Sequence, residues 1–219
     1  MGKTHMVEFA FGGTGQNSHW GAPYNPWDTA AHRSVGGSSS GAGVSLLEGS
    51  AALALGSDTA GSVRIPASMT GNVGLKVTIG RWSTEGVIPL SFTFDTPGLL
   101  ARSVSDVAFG FAALDPAGVD PVGFIAQAGT RDLAGVRIGV GDPFLWRDCD
   151  PGIAETAHEA VSALARRRRH ARIHAARGGS SVCRLSRRQP RRHRAAQLPR
   201  PATAGLAGAA RSGHCPGAA

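Results

Sequence analysis

The chain has 219 residues and a formal charge of +8, a length that allows one or two domains with a buried core. The charge is unevenly placed: residues 1–165 carry nine basic and all 15 acidic side chains, about −6, whereas residues 166–219 hold fourteen Arg and no Lys, Asp or Glu. A basic nucleic-acid-binding body is thereby excluded, and so is a disulfide framework, because Cys149, Cys183 and Cys215 follow no pairing or metal-ligand spacing.

Residues 1–35 are rich in Gly, Asn, Pro and aromatics, and "YNPWD" (24–28) reads as turns. "SSSGAGVSLLEG" opens with serines suited to a helix N-cap and continues small and apolar, which predicts a helix over about 40–50. A buried strand is expected at about 51–57, then a loop, "GSDTAGSVRIPA" (56–67), running into a short helix. "GNVGLKVTIG" (71–80) and "GVIPLS" (86–91) read as short strands. "SVSDVAFGFAALD" has helical apolar spacing behind a Ser103 cap, and "AGVRIGVGD" (134–142) reads as a strand ending in a turn. "DPGIAETAHEAVSALA" (150–165) has Asp150 as N-cap and Pro151 at the first helical position. Strands alternating with helices predict an α/β fold whose sheet is covered on both faces.

After Ala165 no turn and strand follow the helix, although an α/β unit requires them within a few residues. The segment 166–219 lacks Phe, Trp and Tyr, and Arg, Ala, Gly and Pro fill 36 of its 54 positions. Such a composition buries too little apolar surface to offset chain entropy, so a disordered tail is expected. It reads either as a GC-rich gene translated out of frame or as a basic arm that meets nucleic acid non-specifically. No apolar run approaches the roughly 20 residues of a membrane span, and the N-terminus has no signal-peptide order. A soluble, cytoplasmic chain with no metal, no cofactor and no membrane partner is expected.

Two stretches concentrate chemistry: "GGSSSG" (36–41) and "SDTAGS" (57–62). A serine hydroxyl attacks a carbonyl only when a base takes its proton, and the resulting oxyanion needs aimed N–H donors. Glycines beside a serine let a substrate approach the main chain. The same letters also suit a Gly/Ser loop with capping serines, and spacing alone leaves both readings open. His5, His19, His32 and His158 show no H-x-x-x-H pairing and read as surface or turn residues. "GKT" as the end of a phosphate loop would need a glycine five residues before Gly2.

The ordered set "GKTHMVEFAFG", "NPWD", "GGSSSGAG", "ALGSDTAGSVRIPASMTGNVGLKVTIGRWS" and "DTPGLLARSVSDVA", over residues 2–115, resembles the amidase signature family. The resemblance implies an α/β fold with a mixed sheet flanked by helices, residues 1–165 being a partial domain. It implies a Ser–cis-Ser–Lys triad that hydrolyses a small-molecule amide through an acyl-enzyme. The nucleophile of the family's D-x-G-G-S-x-R stretch falls on Ser62. The bridging serine, preceded by a cis peptide bond, falls on Ser38, with Gly37 easing the crowding before it. The N–H groups of Thr59, Ala60, Gly61 and Ser62 are the implied oxyanion hole, and Asp58 and Arg64 the braces of the loop. Ala60 replaces one glycine of the family's pair.

The family's lysine lies in a motif before "GKT", and Lys3 and Lys76, the chain's two lysines, match positions of other kinds. The expectation is therefore a central fragment without its base and with little or no turnover. The A component of the glutamine-dependent tRNA amidotransferase belongs to the same family. That branch typically has glutamine after the arginine, where Ile65 stands here. A non-catalytic basic relic is the reading from another class.

Overall fold

The structure, a computed structural model, describes residues 1–130, 137–140, 143–167 and 172–175. These fall in two units, Met1–Leu133 and Ala134–Ala219. The first holds α1 (Ser40–Leu47), β1 (Leu53–Ser57), α2 (Arg64–Met69), β2 (Val73–Lys76), β3 (Pro97–Ala101), α3 (Val104–Leu114) and α4 (Pro121–Thr130).

β3 is the middle strand, antiparallel to both β1 and β2, with Ser57 opposite Pro97, Leu55 opposite Leu99 and Lys76 opposite Gly98. Its sequence explains its place: Leu99, Leu100 and Ala101 are all fully buried, as a strand covered on both faces requires. Successive side chains of a strand point to opposite faces, and the two leucines accordingly enter different clusters. Leu100 packs with Ala42 and Leu46 of α1, Ala54 of β1, and Val63 and Ala67 at α2. Leu99 packs with Val77 and Trp82, against which Leu75 and Phe111 are placed.

Polar groups fix the helix ends. Arg102 Nη1 donates to the carbonyls of Leu46 (3.0 Å) and Ala51 (2.7 Å), closing the C-terminus of α1. Ser103 caps α3 as expected: its Oγ accepts from Asp106 N at 3.1 Å and pairs with Asp106 Oδ2 at 2.7 Å. Beyond α3, buried Asp115 accepts from Arg81 Nε at 2.5 Å, and the Arg81 guanidinium lies 4.9 Å from the Phe111 ring centre.

Several local expectations are corrected. "GVIPLS" forms no strand: the N–H groups of Leu90 and Ser91 donate to the Asp95 carboxylate instead of to a neighbouring strand. The serines before α1 do not cap it, because the Ser39 hydroxyl is drawn to Ser57 O at 3.4 Å across the sheet edge. The third strand of the sheet, β3, and the helix α4 are elements beyond those expected; Pro97 and Gly98 at the head of β3 and Gly123 and Gly129 in α4 obscure both patterns.

In the second unit, β4 (Arg137–Val140) and α5 (Pro151–Arg167) fall where the sequence places a strand and a helix. A further strand, β5 (Arg172–Ala175), pairs parallel with β4, Ile138 standing opposite Ile173. The expectation that no strand follows the helix is corrected there; the bulk of the expected tail, 176–219, lies outside the described residues. The first unit combines antiparallel strands with helices and the second a parallel strand pair with α5, so each is α/β in composition. Among the described residues no helix is long and apolar enough to cross a membrane.

The buried centre of β3 predicts a graded response. Leu100→Ala, at a side chain with no exposure, lowers the unfolding free energy by about 2–5 kcal/mol. Leu55→Ala, at a side chain 60% exposed on β1, changes it by no more than about 0.5 kcal/mol. Urea unfolding midpoints of the two variants measure the difference.

Candidate active site

The loop between β1 and α2 is built around one carboxylate. Asp58 is fully buried directly after the strand ends, and its own N–H donates to Thr96 O at 2.7 Å. Its side chain accepts from Gly61 N (2.8 Å), Val63 N (3.1 Å) and Arg64 N (3.4 Å), and from Arg64 Nε (3.1 Å) and Nη2 (3.0 Å). The chain wraps around the carboxylate, and Gly61 takes φ +135° to make the bend; a Cβ there would also lie 2.8 Å from Ile65 Cδ1.

Burial pushes the Asp58 pKa up, but the Arg64 hydrogen bond, the Val63 N–H, the Arg64 charge and the Gly61 N–H outweigh it. The carboxyl is held below the ordinary aspartate value.

Gly61 N–H, one of the four expected oxyanion donors, is directed at Asp58 Oδ1. The N–H groups of Thr59, Ala60 and Ser62 donate to no other described residue. Ser62 is half-buried at the end of this turn.

The second stretch lies against the first. Ser39 N donates to Ser62 O at 3.1 Å, joining the two serine loops through their main chains. The Gly37–Ser38 peptide is cis, at the expected bond. A Cβ on Gly37 would fall 2.8 Å from Gly15 N and 2.9 Å from Gly12 O, so residues 12–15 close over it only because no side chain is there. Ser38 is fully buried, and its Oγ has no hydrogen-bond partner among the described residues. A buried hydroxyl without a partner costs about 1–3 kcal/mol. The expected Ser38–Ser62 relay is therefore brought together as neighbouring loops, without a bond between the hydroxyls.

Neither lysine supplies a partner. Lys76 Nζ donates to Val77 O at 3.2 Å, and Lys3 is exposed.

Two further side chains border the serine loops. His5, expected as a surface or turn residue, is half-buried: Nε2 lies 3.1 Å from Gly21 O and Nδ1 2.7 Å from Ser40 Oγ. Since Gly21 O only accepts, Nε2–H donates to it, and Nδ1 pairs with the Ser40 hydroxyl. Asp95 accepts from Thr59 Oγ1 at 2.5 Å. The "DT" ahead of β3 is the one signal for it. Among the described residues no group of His, Cys, Asp or Glu is arranged to hold a metal ion.

A three-stranded sheet whose edge strand runs into a carboxylate-centred serine loop, with a second serine loop against it, is the frame of a known class. The family profile described as Amidase matches residues 1–176, and the chain belongs to that family. It is 58% identical over 165 residues to 2-amino-5-chloromuconic acid deaminase of Comamonas testosteroni, covering 75% of this chain and 35% of that protein. To the A component of glutamyl-tRNA(Gln) amidotransferase from Cutibacterium acnes it is 41% identical over 172 residues, 75% of this chain and 34% of that one. The solved structure of 6-aminohexanoate cyclic dimer hydrolase with substrate superposes with a TM-score of 0.67 at 34% identity, over 80% of this chain and 38% of that chain. The chain spans about a third of the length of the curated relatives it matches.

The Asp58 geometry fixes a pH dependence. Because its folded pKa lies below its unfolded one, its stabilisation is complete above the ordinary aspartate range near 3.9 and is lost as pH falls through the lowered folded value. Asp58→Asn flattens that acid limb in thermal melts. At neutral pH, Asp58→Ala costs about 3 kcal/mol or more by stranding buried N–H donors. Arg64→Ala, which removes two of the five hydrogen bonds to the fully buried carboxylate, costs less, about 1–3 kcal/mol.

Proposed function

We propose that this chain carries the nucleophile and oxyanion site of a carboxylic amide hydrolase. Ser62 Oγ attacks the amide carbonyl carbon while its proton passes through Ser38 Oγ to a base. The carbonyl oxygen, now anionic, takes hydrogen bonds from the N–H groups of Thr59, Ala60 and Ser62. The proton returns through Ser38 to the leaving nitrogen, the C–N bond breaks, and ammonia or an amine departs. Water then adds to the Ser62 ester, and the carboxylic acid leaves as Ser62 regains its proton.

The observation that carries this reading is the Ser38 hydroxyl, buried and unpartnered on a loop tied to Ser62 through Ser39 N. A capping serine would have no reason to be buried in that state. Asp58 and Arg64 shape the loop and touch no substrate in this scheme.

The base is a separate question, since neither Lys3 nor Lys76 faces Ser38 in any hydrogen bond. The proposal is that neither lysine serves as the base of this cytosolic enzyme, and that turnover by the 219-residue chain alone is little or none. For residues 166–219, the proposal remains an out-of-frame readout; the family match runs to residue 176, past the compositional break at Ala165.

The relative at 58% identity is named as a deaminase, which favours substrates that release ammonia, and 2-amino-5-chloromuconic acid is the first to assay. The relatives named as amidotransferase A components support glutamine as the rival nitrogen source. Ile65, where that branch has glutamine, weighs against it.

The direct test is phosphonylation by an aryl fluorophosphonate, located by mass spectrometry, with and without a small primary amine that substitutes for the base. The expected result is a single adduct on Ser62, faster with amine, absent in Ser62→Ala, and slowed about 100-fold or more in Ser38→Ala as a proton relay is lost. No adduct on Ser62 under either condition overturns the reading, and rapid amide turnover by the chain without amine overturns the proposal that neither lysine serves.

A further inference from the structure

The ladder between β1 and β3 does not stop where the strands do. Its last strand pair is Ser57 with Pro97. One step on, Asp58 N donates to Thr96 O at 2.7 Å, and Thr96 is buried there. A further step in the same register brings Thr59 opposite Asp95, and at that position the main-chain bond is replaced by a side-chain one: Thr59 Oγ1 donates to Asp95 Oδ1 at 2.5 Å. The other carboxylate oxygen, Oδ2, accepts Leu90 N at 2.8 Å and Ser91 N at 2.9 Å. Asp95 N in turn donates to Ser91 O at 3.0 Å. The carboxylate is therefore anchored on its own side by a closed turn and reaches across with its free oxygen.

Thr59 is the residue at which the chain leaves the sheet for the Ala60–Gly61–Ser62 bend. From Gly61 onward the bend is held by Asp58. Before it, the N–H groups of Thr59 and Ala60 donate to no other described residue. Their direction rests on whatever fixes Thr59.

We propose that Asp95 is a positioning residue for the oxyanion site, holding the Thr59 hydroxyl so that the N–H groups of Thr59 and Ala60 point where the substrate oxygen becomes anionic. This rests on the acyl-transfer reading of Ser62 given above. Asp95 suits the task because it stays ionised: burial pushes its pKa up, but the Thr59 hydroxyl and the Ser91 and Leu90 N–H groups outweigh that and hold it below the ordinary value. An ionised acceptor gives the stronger and shorter hydrogen bond. Asp95 touches no substrate and moves no proton.

The test is the second-order rate of Ser62 phosphonylation in the full chain, with the small amine present, since the phosphoryl oxygen needs the same donors as an amide oxygen. Loss of one oxyanion donor typically costs about 100- to 1,000-fold, and displacement of two by a fraction of an ångström is expected to cost about 10- to 100-fold. Thr59→Val, which keeps the shape and removes the hydroxyl, shows that loss. Thr59→Ser, which restores the hydroxyl, stays within about threefold of the unsubstituted chain. Asp95→Ala falls as far as Thr59→Val, and the double variant is no slower than the slower single one.

An unchanged rate in Thr59→Val overturns the inference, as does Thr59→Ser reacting as slowly as Thr59→Val, or effects that multiply in the double variant. If Asp95→Ala does not fold, the Thr59 pair decides alone. A chain in which Ser62 never reacts overturns the acyl-transfer reading and this inference together, whereas reaction that ignores Thr59 and Asp95 overturns the inference only.

Discussion

The buried carboxylate of Asp58 is the constraint around which the site is arranged. It sits where β1 ends, and within six residues the chain must turn from an edge strand into α2. Charged groups are rarely stable without water unless their lone pairs are filled, and Asp58 fills them with three main-chain N–H groups and the Arg64 fork. Satisfying that charge curls residues 59–64 into one conformation and presents Ser62 at its rim. The same arrangement engages Gly61 N–H, whereas the N–H groups of Thr59, Ala60 and Ser62 donate to no other described residue.

The sheet supplies what the carboxylate cannot. β3 is buried on both faces, so Leu99 and Leu100 lock it between two clusters, and its register with β1 carries through Thr96 to Asp95. The loop is therefore held at its exit by Asp58 and at its entrance by the extension of the β3 ladder. On the other side, the N-terminal segment grips the Ser38 loop: Val7 N donates to Ser38 O at 3.0 Å and Gly41 N to His5 O at 2.8 Å, while the His5 ring spans Ser40 and Gly21. These contacts hold the Ser38 loop in place.

Much of this was legible in the residues, for reasons that differ by element. Ser103 announced α3 because capping is a local interaction between positions three apart, and Pro151 announced α5 because its ring suits the first helical turn. The family resemblance rested on motifs that keep their order, and the cis bond falls where it implied. What the sequence hid was non-local. The middle strand "PGLLA" begins with the two residues that least resemble a strand, and its burial comes from partners distant in the chain, Ala42 and Leu46 on one face and Val77, Trp82 and Phe111 on the other. "GVIPLS" has the apolar letters of a strand, but Asp95 takes its N–H groups. That Gly61 N–H meets Asp58 was hidden as well, because motif position says nothing of which N–H a neighbouring carboxylate binds. Asp95 itself was visible only as a letter in a longer match, since its role depends on register with Thr59.

The central claim is that Asp58 shapes the loop so that three N–H groups, and not four, face the reacting oxygen. The most direct measurement is a high-resolution crystal structure of the chain with Ser62 phosphonylated. The phosphoryl oxygen is predicted to lie within hydrogen-bond distance of the N–H groups of Thr59, Ala60 and Ser62, with Gly61 N–H still on Asp58 Oδ1. A phosphoryl oxygen held by Gly61 N–H, or turned away from this loop toward solvent, would contradict it.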